Sequence, residues 1–183
     1  ISLASPVPME ELTSLQLELL ARNNLHEGTL YLQITRGAAE RDFRFPGNEV
    51  RPSLVMFTQA RDLAAAPEAE RGIAVKSVPD LRWKRRDIKS VALLAQVLAK
   101  QEAVSAGCQE AWMVENGFVT EGASSSAFII TRERGLVARP LSNEILPGIT
   151  RIAVLELAAE NDLRIEERPF AIDEALNAAE AFN

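Results

Sequence analysis

A single cysteine and a single histidine in 183 residues exclude two common ways of building a fold or a centre. Cys108 has no intrachain partner for a disulfide, and His26 alone cannot anchor a His/Cys metal cage, so disulfide frameworks and zinc scaffolds drop out. A reducing compartment follows from the unpaired cysteine, and cytoplasmic localisation is expected because no signal-peptide pattern is seen. Basic excess is also lacking: 20 Lys and Arg against 26 Asp and Glu give a formal charge of −6, the wrong sign for a general nucleic-acid binder. No apolar run approaches the ~18 residues of a membrane span, and there are no internal repeats or low-complexity tracts. The chain starts at Ile1 rather than Met, and Ala181-Phe182-Asn183 read as a strand just begun, so both ends are expected to be internal to a larger unit. What is present is a composition of 47% hydrophobic and 25% charged residues, enough to bury a core.

Periodicity divides that composition into elements. Met9 to Asn23 carries Leu12, Leu15, Leu19 and Leu20 at helical spacing, and Gly28 to Arg36 alternates as a half-buried strand. Ser53 to Thr58 is a second strand, and the Ala-rich, charged stretch Arg61 to Gly72 is linker-like, which sets expected domains of 1–66 and 67–183. Beyond it come a strand at Ile73 to Val78 and a helix from Lys89 to Ala106, with Val91, Leu94, Val97 and Leu98 expected to face inward. Asn116-Gly117 between apolar stretches predicts a tight hairpin, because both turn positions require positive φ. Strands at Ser126 to Thr131 and Leu136 to Arg139, a helix from Ile149 to about Asn161 opened by Pro147-Gly148, and a short helix at Ile172 to Ala179 complete a mixed α+β chain.

Three features could carry chemistry. Lys89, between Ile88 and an apolar helix, could be a partly desolvated amine able to attack an aldehyde, although Arg85, Arg86 and Asp87 also make an ordinary charged helix start. Glu121 precedes the small, hydroxyl-rich run Gly122-Ala123-Ser124-Ser125-Ser126, which suits a flat ligand with a protonated ring nitrogen but equally a plain polar loop. Leu146-Pro147-Gly148-Ile149-Thr150-Arg151 feeds a turn into a helix whose first amides could hold an anion or could simply be capped. An amine for an aldehyde, a carboxylate for a pyridinium and a helix end for a phosphate are together the needs of pyridoxal 5′-phosphate.

The strings themselves resemble a known family. Arg82-Trp83, Arg86-Asp87-Ile88-Lys89-Ser90, Ala99-Lys100-Gln101-Glu102-Ala103, Val119-Thr120-Glu121-Gly122-Ala123-Ser124-Ser125 and Gly148-Ile149-Thr150-Arg151, in order from about Glu10 to Phe182, are similar to class IV, fold type IV pyridoxal-phosphate aminotransferases. Gln33-Ile34-Thr35-Arg36-Gly37, Arg41 and Phe45-Pro46 look most like the D-amino-acid aminotransferase branch. The resemblance implies a two-domain architecture, here lacking N- and C-terminal parts, and transamination of a D-amino acid with a 2-oxo acid of the D-alanine/2-oxoglutarate type. It implies that Lys89 forms the internal aldimine, a Schiff base, and that Glu121 pairs with the pyridine nitrogen. Ile149 and Thr150 would donate to the phosphate, Leu146 would pack against the ring, and Ser124 and Ser125 would line the cofactor. Arg41 would reach across a homodimer interface to the substrate carboxylate, with Arg82 in support near the lysine.

The chain departs from the family pattern at Phe43, where a histidine usually stands, and at Ser126, where an asparagine commonly ends the serine loop. The family's phosphate-binding arginine and substrate-facing tyrosine fall upstream of Ile1, a further phosphate-holding loop falls beyond Asn183, and Tyr31 is expected only to pack. Alternatives on the same scaffold are a branched-chain aminotransferase and an aminodeoxychorismate lyase. An alternative of another class is a degenerate, non-catalytic binding or dimerisation domain.

Overall fold

Helix α1 (Met9–Arg22) starts directly after the extended Pro8, carries Glu10 and Glu11 in its first turn and Arg22 in its last, and so complements its own dipole at both ends. Its Leu12 is buried, and the chain leaves the helix through Asn24 at φ +47. Strands β1 (Gly28–Thr35) and β2 (Ser53–Ala60) pair antiparallel from Gly28 opposite Ala60 to Thr35 opposite Ser53. Tyr31 and Phe57 face each other in this register and stack at 4.7 Å, which is the packing role expected of Tyr31. A short helix α2 (Pro67–Arg71) ends the first of two compact units, Ile1–Arg71 and Gly72–Asn183. The computed structural model describes residues 1–62 and 67–183, so the expected boundary after residue 66 abuts residues outside the described set.

In the second unit, β3 (Val75–Pro79) runs parallel to β4 (Glu110–Glu115), with helix α3 (Leu94–Ser105) as the crossover between them. The chain then reverses through Asn116 (φ +53) and Gly117 (φ +84) into β5 (Phe118–Gly122), the hairpin that the Asn-Gly pair predicts. A second sheet has the order β8, β7, β6, β9, built from β6 (Phe128–Ile130), β7 (Gly135–Ala138), β8 (Arg164–Glu167) and β9 (Glu180–Phe182). Helix α4 (Ile149–Glu160) lies between the parallel strands β7 and β8 in the chain, and α5 (Ile172–Asn177) precedes β9.

Two expectations are corrected. Strand β8 is not anticipated from sequence, because Arg164-Ile165-Glu166-Glu167 is charged and holds one apolar residue. That pattern belongs to an edge strand whose place comes from pairing with β7. Helix α3 begins at Leu94 rather than Lys89, and its large apolar residues point the other way from the expectation: Val91, Leu94, Val97 and Leu98 are all exposed. Ala99 and Ala103 are buried instead, against Val78, Ala111 and Met113. The helix therefore packs on the β3–β4 pair through its small side chains, and its larger apolar side chains face away from that pair.

Two further apolar clusters complete the unit. One gathers Trp112, Val119, Ala127, Ile129, Val137 and Phe170, with Trp112 and Phe170 edge to face at 5.8 Å. The other gathers Phe128, Leu136, Ala138 and Ala158. Between them they fix β5 and its continuation into β6, the stretch that carries Glu121 and the serine run.

Candidate active site

Strand β5 is buried continuously from Val119 to Gly122, and within it the Glu121 side chain is 8% exposed. An ionised carboxylate there needs partners, and it has two. Oε2 accepts from Arg82 Nη1 at 2.5 Å, and Oε1 accepts from the backbone N–H of Leu146 at 2.9 Å. Burial pushes the Glu121 carboxyl above its ordinary value, and these two bonds offset only part of that rise.

Arg82 is held in turn from behind. Its Nε and Nη2 make the two bonds of a bidentate pair with Asp80, at 3.0 and 2.8 Å, and Asp80 Oδ2 also accepts from Thr120 Oγ1 at 2.6 Å. Burial alone would raise the Asp80 carboxyl, but the hydrogen bonds from Arg82 and Thr120 and the charge of Arg82 outweigh it and hold it below the usual range. Burial likewise works against the charge on Arg82, and its bonds to Asp80 and Glu121 win there too. Removing one partner of so buried a pair typically costs about 3–5 kcal/mol, because the other charge is left without compensation.

The same network reaches the segment that carries Lys89. Arg86, with its side chain 1% exposed, lies 3.4 Å from Asp80 Oδ2 and 2.8 Å from Glu115 Oε2, and its backbone N–H donates to the Asn143 carbonyl at 2.9 Å. Three residues further on, Lys89 lies within about 11 Å of Arg86 by chain length alone. Its side chain is exposed and makes no hydrogen bond or ion pair among the described residues, so the partial desolvation considered from sequence is not seen. The reason is local: residues 89–93 are an irregular approach to α3 rather than its first turn, so no helix packs over the amine.

Beyond Glu121 the loop folds back on itself, with Gly122 N–H donating to the Ser125 carbonyl at 2.8 Å. A Cβ at Gly122 would lie 2.3 Å from Ser125 Oγ and 3.1 Å from the Ser125 carbonyl oxygen, so a larger residue there would turn the serine hydroxyl out of its place. Ser124 Oγ is 3.4 Å from Glu110 Oε2, whereas Ser125 Oγ is buried without a hydrogen-bond partner among the described residues. Leu146 does more than its side chain suggests, since its amide is the second donor to Glu121. Gly148, the N-cap of α4, offers no capping side chain, and the helix's first internal bond runs from Ile152 N–H to the Gly148 carbonyl. The amides of Ile149, Thr150 and Arg151 therefore precede the helical ladder, and Thr150 adds an exposed hydroxyl.

Arg41, in the Ile1–Arg71 unit, is exposed with its guanidinium 5.3 Å from the Phe43 ring. Arg82 is not placed as a substrate-facing cation, because all of its bonds run inward to Asp80, Thr120 and Glu121. Asp80 is the residue that sequence reasoning missed. Its signal is the spacing Asp80-Leu81-Arg82 at the end of a strand, which places two opposite charges on one side of an extended chain.

The chemistry of this donor set fits a phosphorylated pyridine aldehyde: a free amine, a buried carboxylate for a ring N–H, a buried hydroxyl still lacking a partner, and open amides at a helix start. Comparison with known proteins gives the family. The profile of the class IV aminotransferases matches residues 1–183. A D-alanine aminotransferase of Staphylococcus aureus (strain N315) is 40% identical over 172 residues, covering 94% of this chain and 60% of that protein. Among solved structures, the branched-chain amino acid aminotransferase of Escherichia coli superposes with a TM-score of 0.83 at 23% identity, covering 98% of this chain and 61% of that one. The same enzyme of Thermobaculum terrenum in its PLP form gives 0.75 at 23% identity, covering 98% and 60%. These two likenesses show the shared fold, fold type IV. The chain thus spans about 60% of the length of the curated relatives it matches, and it belongs to the class IV aminotransferase family.

Proposed function

We propose that this protein contributes the cofactor-binding part of a pyridoxal-phosphate-dependent aminotransferase acting on D-amino acids with a 2-oxo acid acceptor. The observation that carries the reading is Glu121: a buried carboxylate held on one oxygen by Arg82 and on the other by the Leu146 amide, next to a glycine turn and a helix start. The 40% identity to D-alanine aminotransferases supports the choice of substrate class.

When bound, pyridoxal phosphate supplies an aldehyde carbon that carries the amino group and a ring that withdraws electrons from the substrate α-carbon. Lys89 Nζ would be the group that holds the aldehyde, and as a free amine it would move the α-proton. Glu121 keeps a proton on the ring nitrogen, because a carboxylate raises the pKa of a neighbouring cationic N–H. Ser125 Oγ and the amides of Ile149 and Thr150 hold the polar rim of the ligand, Ser124 and Leu146 bound it, and Arg82 keeps Glu121 aimed rather than meeting the substrate. Arg41, from a second copy of the chain, takes the substrate carboxylate. The donor amino acid would leave as a 2-oxo acid whose carbonyl oxygen comes from water, and a second 2-oxo acid would accept the amino group and release that water, which implies ping-pong kinetics.

Lys89→Ala in the full chain is expected to abolish turnover and the covalent retention of pyridoxal phosphate after borohydride treatment, read by mass spectrometry. Retained activity would refute the role of Lys89. D-Alanine, L-leucine and aminodeoxychorismate, each with its acceptor, separate the D-amino-acid reading from the other two reactions. No product from any of them would favour a binding domain.

A further inference from the structure

We propose that Asp80 is a positioning residue of this site: its buried carboxylate locks the Arg82 guanidinium in the one orientation that presents Nη1 to Glu121. The inference deepens the functional reading above and rests on it for its catalytic meaning.

Arg82 has a long, flexible side chain, and a guanidinium free to rotate would share its charge with any nearby acceptor. Here two of its three nitrogens are taken by Asp80 at 3.0 and 2.8 Å, which leaves Nη1 pointing at Glu121 Oε2 at 2.5 Å. Asp80 is itself fixed. Its side chain has no exposed surface, it accepts from Thr120 Oγ1 at 2.6 Å and from the Arg82 backbone N–H at 3.0 Å, and Arg86 stands 3.4 Å away. Thr120 Oγ1 also lies 3.0 Å from the Met113 carbonyl, so the anchor is tied to both strands of the β4–β5 hairpin. Asp80 meets both Arg82 and Arg86, seven and three residues before Lys89, and thereby ties the lysine-bearing segment to the strand that carries Glu121. Two further charged groups, Arg139 and Arg151, line the narrow crevice beside Glu121. Arg139 is committed to Glu144 and the Val119 carbonyl, and Arg151 to Glu167 and the Arg139 carbonyl.

The test titrates the Glu121 carboxyl by carbon-13 NMR in cofactor-free full chain carrying Asp80→Ala, Arg82→Met or both. Loss of the Asp80 charge by itself relieves repulsion and lowers the Glu121 midpoint, whereas release of Arg82 raises it. If Asp80 acts through Arg82, the change produced by Asp80→Ala therefore lies higher by about half a pH unit or more when Arg82 is present than in the Arg82→Met background. Arg82→Met alone raises the midpoint, and adding Asp80→Ala to it lowers the midpoint again. Additive shifts in the double variant would overturn the proposal. Thr120→Val, which removes one donor to Asp80 and keeps its charge, is the gentler variant: a smaller rise is expected, and no rise in protein with unchanged melting also overturns it. Pyridoxal phosphate affinity is measured alongside and should fall about tenfold in Asp80→Ala. Absence of binding by the parent protein would sink the functional reading, while the titration still decides the role of Asp80.

Discussion

The two ends of the β4–β5 hairpin each hold a glutamate paired with a buried arginine, yet the two carboxyls behave oppositely. Glu115, beside the Asn116-Gly117 turn, accepts from Arg86 at 2.8 Å and also from Lys84, and these hydrogen bonds hold its pKa down at about 2. Glu121, at the open end, is pushed above its ordinary value by burial. The side-chain exposures, 16% and 8%, are too close for direct water contact alone to explain opposite signs. What differs is the ratio of charges and the depth of surrounding chain. Two cations serve Glu115, Lys84 and an Arg86 that also lies 3.4 Å from Asp80, whereas Glu121 has Arg82 alone, likewise shared with Asp80, and Asp80 repels it as well. A glutamate satisfied by its own neighbours serves the fold. One left under-compensated in the interior is suited to a cationic ligand atom.

Substitution at the functional end should have the largest effect. Glu121→Gln is expected to lower turnover by about 100-fold or more while weakening pyridoxal phosphate binding far less, because an amide keeps the shape but cannot favour a ring N–H. Parallel losses of turnover and binding would assign Glu121 to simple retention of the cofactor.

The pH dependence of stability should sharpen the contrast. Glu115 has a depressed pKa, so its contribution is present above the ordinary glutamate range and is lost as pH falls from there toward about 2. The melting temperature of Glu115→Gln should therefore lie below the parent at neutral pH and approach it through that window. For Glu121 the sign reverses, since a raised carboxyl pKa means the folded state favours the proton and stability declines as pH rises through it. Relative to the parent, cofactor-free Glu121→Gln should gain melting temperature as pH rises above the ordinary glutamate range. Difference curves of the same slope for the two variants would break the comparison.

The smallest effect belongs to the turn itself. Gly117, at φ +84 with nothing near a Cβ, is expected to lose about 1 kcal/mol on replacement by Ala, through backbone strain alone. Chemical denaturation should show this without a change in the Glu121 titration, and a shift there would mean that the two ends are coupled through the turn.

Local patterns account for much of what was legible in the chain. Helix α1, the hairpin at Asn116-Gly117 and the start of α4 after Gly148 each rest on neighbours a few residues apart, and each forms where expected. The family strings around Lys89, Glu121 and Gly148 were legible for the same reason. Strand β8 was not, because its charged residues acquire strand structure only beside β7.

By itself the sequence determined most of the elements, the family and the short segments that carry an amine, a carboxylate and a helix start. The tertiary structure alone decided that α3 packs through Ala99 and Ala103, that Arg82 meets Glu121 across 39 positions of chain, and that Asp80 stands behind both. The physical reason is range. Periodicity and turn propensity act over a few residues, whereas close approach of a helix to a sheet and the value of a buried charge depend on which distant groups arrive beside it.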